Sequence, residues 1–193
     1  KMLKEDVRTS HIPIILLTAK DSLQDKEEGY QVGADSYLTK PFSATLLHSR
    51  IHNLLESRKR LTERFSTSTL HHNMNDKRAL LAESLNKLDN EFIEKINQLI
   101  EARLSSEKID IGYLADNMCM SKSTLYRKMK ALTGLSTNEY VRKIKMQHAE
   151  RLLLEGRYNI SEVAFRVGIN SVVYFRQCFK EEFGVLPSEY LKQ

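Results

Sequence analysis

The strongest constraint on this chain is an internal echo. Ile109 to Gly134 reads IDIGYLADNMCMSKSTLYRKMKALTG, and about fifty residues later Ile160 to Gly184 reads ISEVAFRVGINSVVYFRQCFKEEFG. In each copy an apolar set spaced i, i+3, i+4, i+7 opens the unit: Ile111, Leu114, Ala115 and Met118 in the first, Ile160, Val163, Ala164 and Val167 in the second. Such a set makes one short helix with a single buried face. A few turn residues follow, Cys119-Met120-Ser121 and then Gly168-Ile169-Asn170. A second apolar stripe comes next, Leu125, Met129 and Leu132 in one copy and Phe175, Phe179 and Phe183 in the other. The fold expected here is helix, tight turn, helix, built twice in an all-α domain.

The outward face of each second helix gives the pattern its chemistry. Burying Leu125 and Met129 leaves Ser123, Tyr126, Arg127 and Lys130 pointing away, at i, i+3, i+4 and i+7. The matching candidates in the second copy are Val172, Val173, Arg176, Gln177 and Lys180. In a DNA-binding helix-turn-helix this second helix enters the major groove, where an arginine can bond guanine O6 and N7 while lysines meet phosphates. A solvated basic face on an ordinary bundle would give the same pattern once. Two copies in fixed order favour DNA.

Ser136 followed by Glu139 reads as a capping box, and Asn138 to Leu154 contains no helix breaker. A helix roughly 25 Å long is expected there, at ~1.5 Å per residue. Its apolar residues, Val141, Ile144, Met146, Ala149, Leu152 and Leu153, cover too wide an arc for one stripe, as a helix packed against both units would require. Successive major-groove turns on one DNA face lie about 34 Å apart, and a rigid spacer of this size can match that without dimerisation.

The net charge is +5, but it is placed unevenly. From Lys122 to Lys180 twelve Lys and Arg face only Glu139, Glu150, Glu155 and Glu162, an excess of eight positive charges. Such an excess favours salt-sensitive contact with a polyanion. No run approaches the ~18 apolar residues of a membrane span and no signal peptide opens the chain, so a cytoplasmic location is expected. Cys119 and Cys178 lack metal-ligand spacing, and Cys178 sits on the inward side beside Phe175 and Phe179. His48 and His52 stand at i, i+4, but no carboxylate or cysteine completes a metal site. His71 and His72 belong to a polar stretch and read as solvent-exposed. No cofactor is called for.

Residues 1–60 have a different character. Ile12 to Leu17, IPIILL, is a continuous branched apolar run, the pattern of a strand buried on both faces of a parallel sheet. A polar helix from about Leu23 to Gln31 follows, then a strand Ser36 to Thr39, Lys40-Pro41, and a helix from about Ala44 to Arg60 with Leu46, Leu47, Ile51, Leu54 and Leu55 inward. The alternation implies part of a doubly wound sheet. Residues 61–89, with STST and HHNMND, form a polar linker, and helical spacing resumes from Asn90 through Ile93, Ile96, Ile100 and Leu104.

Two resemblances follow from these motifs. LYRKMKALTG, a central helix ending AERLL, ISEVAFRVG and YFRQCFKEEFGVLPSEY make residues 90–193 similar to the DNA-binding domain of the AraC/XylS regulators. The second unit departs from that pattern: Ile169 stands where the family usually has phenylalanine, and Arg176-Gln177 where it often has Ser-Arg. LLTAK and GADSYLTKPF make residues 1–60 resemble the second half of a response-regulator receiver domain. That resemblance implies a switch hydroxyl at Thr18, a rotating aromatic at Tyr37, a phosphate-contacting lysine at Lys40, and a cis Lys40-Pro41 bond. The receiver's acidic pair and phosphoacceptor aspartate have no counterpart, since Asp6, Asp21, Asp25 and Asp35 fall elsewhere. With Lys1 in place of an initiator methionine, a fragment of a longer protein is expected.

The combined reading is a transcription regulator of a two-component phosphorelay that binds specific duplex DNA and is not an enzyme. The resemblance to hybrid two-component regulators implies an upstream kinase and the missing receiver half in a longer, membrane-anchored polypeptide. The alternatives are a signalling adaptor whose basic helices bind a protein partner, and a phosphoaccepting receiver. An unpaired apolar strand edge also invites self-association through residues 1–60.

Overall fold

The computed structural model describes residues 2–19, 24, 27, 29, 31, 33–67, 86–105 and 109–191. Its N-terminal part comprises a short helix α1 (Met2–Glu5), strands β1 (Ile15–Thr18) and β2 (Ser36–Thr39), and helix α2 (Ala44–Thr67). The strands pair in parallel, with Leu16 opposite Tyr37 and Thr18 opposite Thr39. Lys40-Pro41 is cis, as the receiver resemblance implied. Of the helix expected from Leu23 to Gln31, Gln24, Glu27, Gly29 and Gln31 are described, and all four are helical.

Three expectations for this part are corrected. The strand expected from Ile12 begins only at Ile15, and it is half-buried rather than buried on both faces, with Leu17 43% exposed. Helix α2 runs past Arg60 to Thr67, because no glycine or proline interrupts it and Lys59 pairs with Glu63 one turn on at 3.9 Å. Leu46, Ile51 and Leu55, expected inward, are exposed. Two strands of four residues present too little surface to cover that face of the helix. Residues 68–85, with His71 and His72, lie outside the described residues.

The described elements of the second part are all helices. Helix α3 (Lys87–Glu101) begins earlier than the expected Asn90 because the Asn86 side chain accepts the Asp89 amide at its N-terminus. It is followed by α4 (Ile111–Asn117), α5 (Lys122–Thr133), α6 (Thr137–Leu154), α7 (Ile160–Arg166), α8 (Val172–Phe183) and α9 (Pro187–Tyr190). The capping box at α6 is formed: Ser136 Oγ accepts the Glu139 amide at 3.3 Å, and Glu139 accepts the Ser136 amide at 2.7 Å. Those bonds hold the Glu139 carboxyl below its ordinary range. One apolar core runs through all of these helices, from Phe92 and Ile96 through Leu114, Leu125 and Met129 to Val163, Phe175 and Phe179. The wide apolar arc of α6 is used as expected, since Val141, Ile144, Met146, Ala149 and Leu153 are buried and Leu152 is half-buried.

The two parts meet. Helix α2 packs beside α5, and a Cβ added at Gly134 would come within 3.2 Å of Thr62. His11 is 9% exposed at this junction, its carbonyl accepts a hydrogen bond from Arg58, and burial, reinforced by the Lys128 charge, pushes its pKa down to about 4.

Candidate nucleic-acid interface

The two units share one turn geometry. The Cys119 amide donates to Asp116 O at 3.0 Å and the Met120 amide to Ala115 O at 3.0 Å; in the second unit the Gly168 amide donates to Phe165 O and the Ile169 amide to Ala164 O, both at 2.9 Å. Cys119 therefore matches Gly168, and both have positive φ, 52° and 66°. The next helices start on matching serines: Ser121 Oγ accepts the Thr124 amide, and Ser171 Oγ accepts the Tyr174 amide. Ser121 thus corresponds to Ser171, not to Asn170, which is an extra residue in the second turn. Helices α5 and α8 end alike, on left-handed Gly134 and Gly184.

A cysteine at φ 52° carries a steric cost that glycine does not. Cys119 is exposed, so its side chain adds little packing in return. Cys119→Gly is expected to stabilise the fold by up to about 1 kcal/mol, the relief of strain exceeding the added chain entropy of glycine. Urea unfolding measures this directly, and a lowered midpoint would contradict it.

The outward faces stand largely where the spacing placed them. Ser123, Tyr126, Arg127 and Lys130 on α5 are exposed, as are Val173, Arg176, Gln177 and Lys180 on α8; Val172 is only half-buried. The faces differ in charge. Helix α5 contains no acidic residue, whereas α8 carries Glu181, which accepts a hydrogen bond from Gln177 at 3.1 Å and lies 3.8 Å from Arg142. Sequence spacing missed Tyr174, 49% exposed beside Val173, although its place one residue on from Val173 on the same helical turn marks it. Tyr174 borders an open cleft of about 540 Å³ at the start of α8, with Asn138, Arg142, Lys145, Asn170 and Ser171. The cleft gathers guanidinium, amide and hydroxyl groups.

The positive excess is smaller at the surface than in the sequence. Lys128, Lys143 and Lys145 are buried at 0%, 5% and 5% exposure. Lys143 pairs with Glu182 at 3.1 Å, Lys145 donates to Gly168 O at 3.2 Å, and Lys128 pairs with Asp89 at 2.5 Å. These three hold the domain together rather than facing outward. Cys178 is buried against Phe175 and Phe179 as expected.

On the receiver-like side, the Lys40 amide donates to Thr18 O at 2.7 Å, which brings Thr18 and Lys40 to one end of the sheet, with Tyr37 half-buried on β2. Asp35 is engaged structurally: it accepts the Ile14 amide at 2.8 Å and pairs with Lys4 at 2.8 Å. Asp6 is held by Arg8, which lowers its pKa to about 2, and Asp21 and Asp25 lie outside the described residues. No group of three or more His, Cys, Asp or Glu that could hold a metal ion occurs among the described residues, and no helix among them is long and apolar enough to cross a membrane.

Comparison with known proteins gives two family matches: a helix-turn-helix domain over residues 114–193 and a response regulator receiver domain over residues 1–52. A protein of Formosa agariphila described as a histidine kinase is 36% identical over 189 residues, 97% of this chain and 13% of that protein. The Escherichia coli dual transcriptional regulator Rns is 32% identical over 99 residues, 51% of this chain and 37% of that one. Among solved structures, the C-terminal domain of AraT, a response regulator from Geobacillus stearothermophilus, is 31% identical with a TM-score of 0.48, covering 52% of this chain and 84% of that one. The chain spans less than two fifths of either curated relative. Residues 114–193, with their paired turns and capped helices, thus match an AraC-type helix-turn-helix domain, and residues 1–52, with their parallel strands, match a response regulator receiver domain.

Proposed function

We propose that this chain is the output end of a two-component regulator that reads duplex DNA with α5 and α8 in successive major grooves. The observation that carries the reading is the repeated geometry. Two helices with matching turn hydrogen bonds, the same serine cap and the same glycine stop expose Arg127 and, one position earlier in the second copy, Arg176 from one shared core. In this reading residues 90–193 form the DNA-binding domain, residues 61–89 the linker and residues 1–60 the receiver part. Ser123, Tyr126, Arg127 and Lys130 on α5, with Val173, Arg176, Gln177 and Lys180 on α8, face the DNA.

Selection of bound duplexes from a random pool tests this reading. The expected result is an enriched motif of two short half-sites about one helical turn apart. An unenriched pool with strong retention at low salt would mean a merely basic surface, and capture of proteins in preference to DNA would favour the adaptor reading.

The chain is further proposed to carry no catalytic activity. Thr18 and Lys40 lie together at one end of the sheet, whereas Asp35 stands at the other end, bonded to the Ile14 amide and Lys4, and Asp6 pairs with Arg8, so neither offers Lys40 a phosphoacceptor. Incubation with a small phosphodonor and magnesium is expected to leave no acid-labile phosphate on the chain. A label mapped to Asp21 or Asp35 would overturn this.

A further inference from the structure

The second helices of the two units match position for position, and at one of those positions they differ in kind. Where α8 buries the small thiol of Cys178, α5 buries the ammonium of Lys128, which is 0% exposed. Burial pushes the Lys128 pKa down, and Asp89 opposes the shift. A buried ammonium is held charged only when its donors are satisfied. Lys128 has three oxygen acceptors: Asp89 Oδ1 at 2.5 Å on α3, Ser10 Oγ at 2.8 Å and Val7 O at 2.5 Å. It also lies 4.8 Å from the centre of the Phe92 ring. Two of the three oxygens therefore come from the N-terminal segment, not from the helical domain that contains the lysine.

The segment is committed to this contact. Ser10 is fully buried; its hydroxyl donates to Asp89 Oδ1 at 2.6 Å while accepting from Lys128. Asn86 donates to Ser10 O at 3.3 Å and to Asp89 Oδ2 at 2.8 Å, tying the cap of α3 into the same node. On the far side Arg58 of α2 donates to the carbonyl of His11. The exposed face of α5, with Arg127 adjacent in sequence, stays open while the opposite face is gripped.

We propose that Ser10 and the Val7 carbonyl form a latch on Lys128, through which displacement of residues 7–11 is transmitted to the first reading helix. The device supplies a path from the receiver-like part to α5 alone, because Cys178 gives α8 no counterpart. Its consequence for DNA rests on α5 being a reading helix, so the test is made without DNA.

In the full chain, backbone hydrogen exchange is followed residue by residue for the wild type, Ser10→Ala and Arg58→Met. Ser10→Ala removes one oxygen from the Lys128 ammonium and leaves the Asp89–Lys128 pair intact. It is expected to speed exchange about tenfold at Ser10 and Ile12 and to raise it in step at Arg127 to Lys130, with α8 unchanged. Arg58→Met frees the same segment from its other side and is expected to give the same pattern. Faster exchange in the segment with α5 unmoved in both variants would reduce the contact to passive packing. An increase spread equally through α8, or no change anywhere, would also overturn the latch. If the latch holds and α5 binds DNA, specific DNA must slow exchange at Ser10 reciprocally. A chain that binds no DNA would leave the exchange result standing, so the two ideas fail separately.

Discussion

Asp89→Ala is expected to cost the chain about 3–5 kcal/mol of folding stability, the usual penalty for stranding one member of a buried ion pair. Asp89 is 2% exposed and, among the described residues, is the only anion bonded to the Lys128 ammonium; Ser10 and Val7 supply neutral oxygens. Without it the positive charge would have to lose its proton or draw water into the core beside Phe92. The companion experiment is Asp89→Ala combined with Lys128→Met, which replaces the pair by apolar volume. That double variant is expected to recover most of the loss, because the desolvation cost of both ions disappears with their attraction. Chemical unfolding of the wild type, the two single variants and the double variant in one buffer gives the coupling directly. A single-variant loss below about 1 kcal/mol would mean that water reaches Lys128 and that the pair behaves as a surface bridge.

The other large effect concerns DNA. Arg127 is exposed between Tyr126 and the inward Lys128, on a helix without acidic residues, so nothing on α5 competes with a nucleobase for its guanidinium. Arg127→Ala is expected to weaken the preferred site by about 1–3 kcal/mol while changing affinity for random duplex much less, as loss of a bidentate guanine contact requires. In the proposed reading Lys130, a turn further along, meets phosphate. Lys130→Ala should weaken both duplexes alike and reduce the dependence of log affinity on log salt by about one unit. Titrations at several salt concentrations separate the cases: equal losses on both duplexes for Arg127→Ala would make this arginine a phosphate clamp. On α8 the Gln177 side chain already bonds Glu181, so reading there must begin by breaking an internal contact or must rely on Arg176.

Much of this could be read from spacing, and the failures have a common cause. The buried stripes Leu125, Met129, Phe175 and Phe179, the Ser136–Glu139 box and the exposed faces are local patterns, fixed by the period of a helix. Lys128 falls within the basic run of the sequence beside the exposed Arg127 and Lys130, but its partners Asp89 and Ser10 come from distant segments and leave no local trace. The same holds for Leu46, Ile51 and Leu55, whose spacing marks a face but not what covers it. The alignment of the turns failed by one residue because Asn170 adds length without altering the hydrogen bonds on either side.

The repeat extends further than its glycine stops. Six residues past Gly134 and Gly184 stand Tyr140 and Tyr190, each one residue after a glutamate that bonds the backbone at the helix start, Glu139 to Ser136 and Glu189 to Leu186. Tyr140 donates to Asn97 on α3, and Tyr190 donates to Glu150 on α6. Helix α6 therefore has two roles: its first turn closes the first unit, as α9 closes the second, and its body opens the second unit, as α3 opens the first. Sharing that helix makes the units inseparable as folding entities. Neither can unfold without uncovering its neighbour, so heat or denaturant should melt residues 87–191 in one cooperative step, and removing the second unit would leave one face of α6 in need of a new cover.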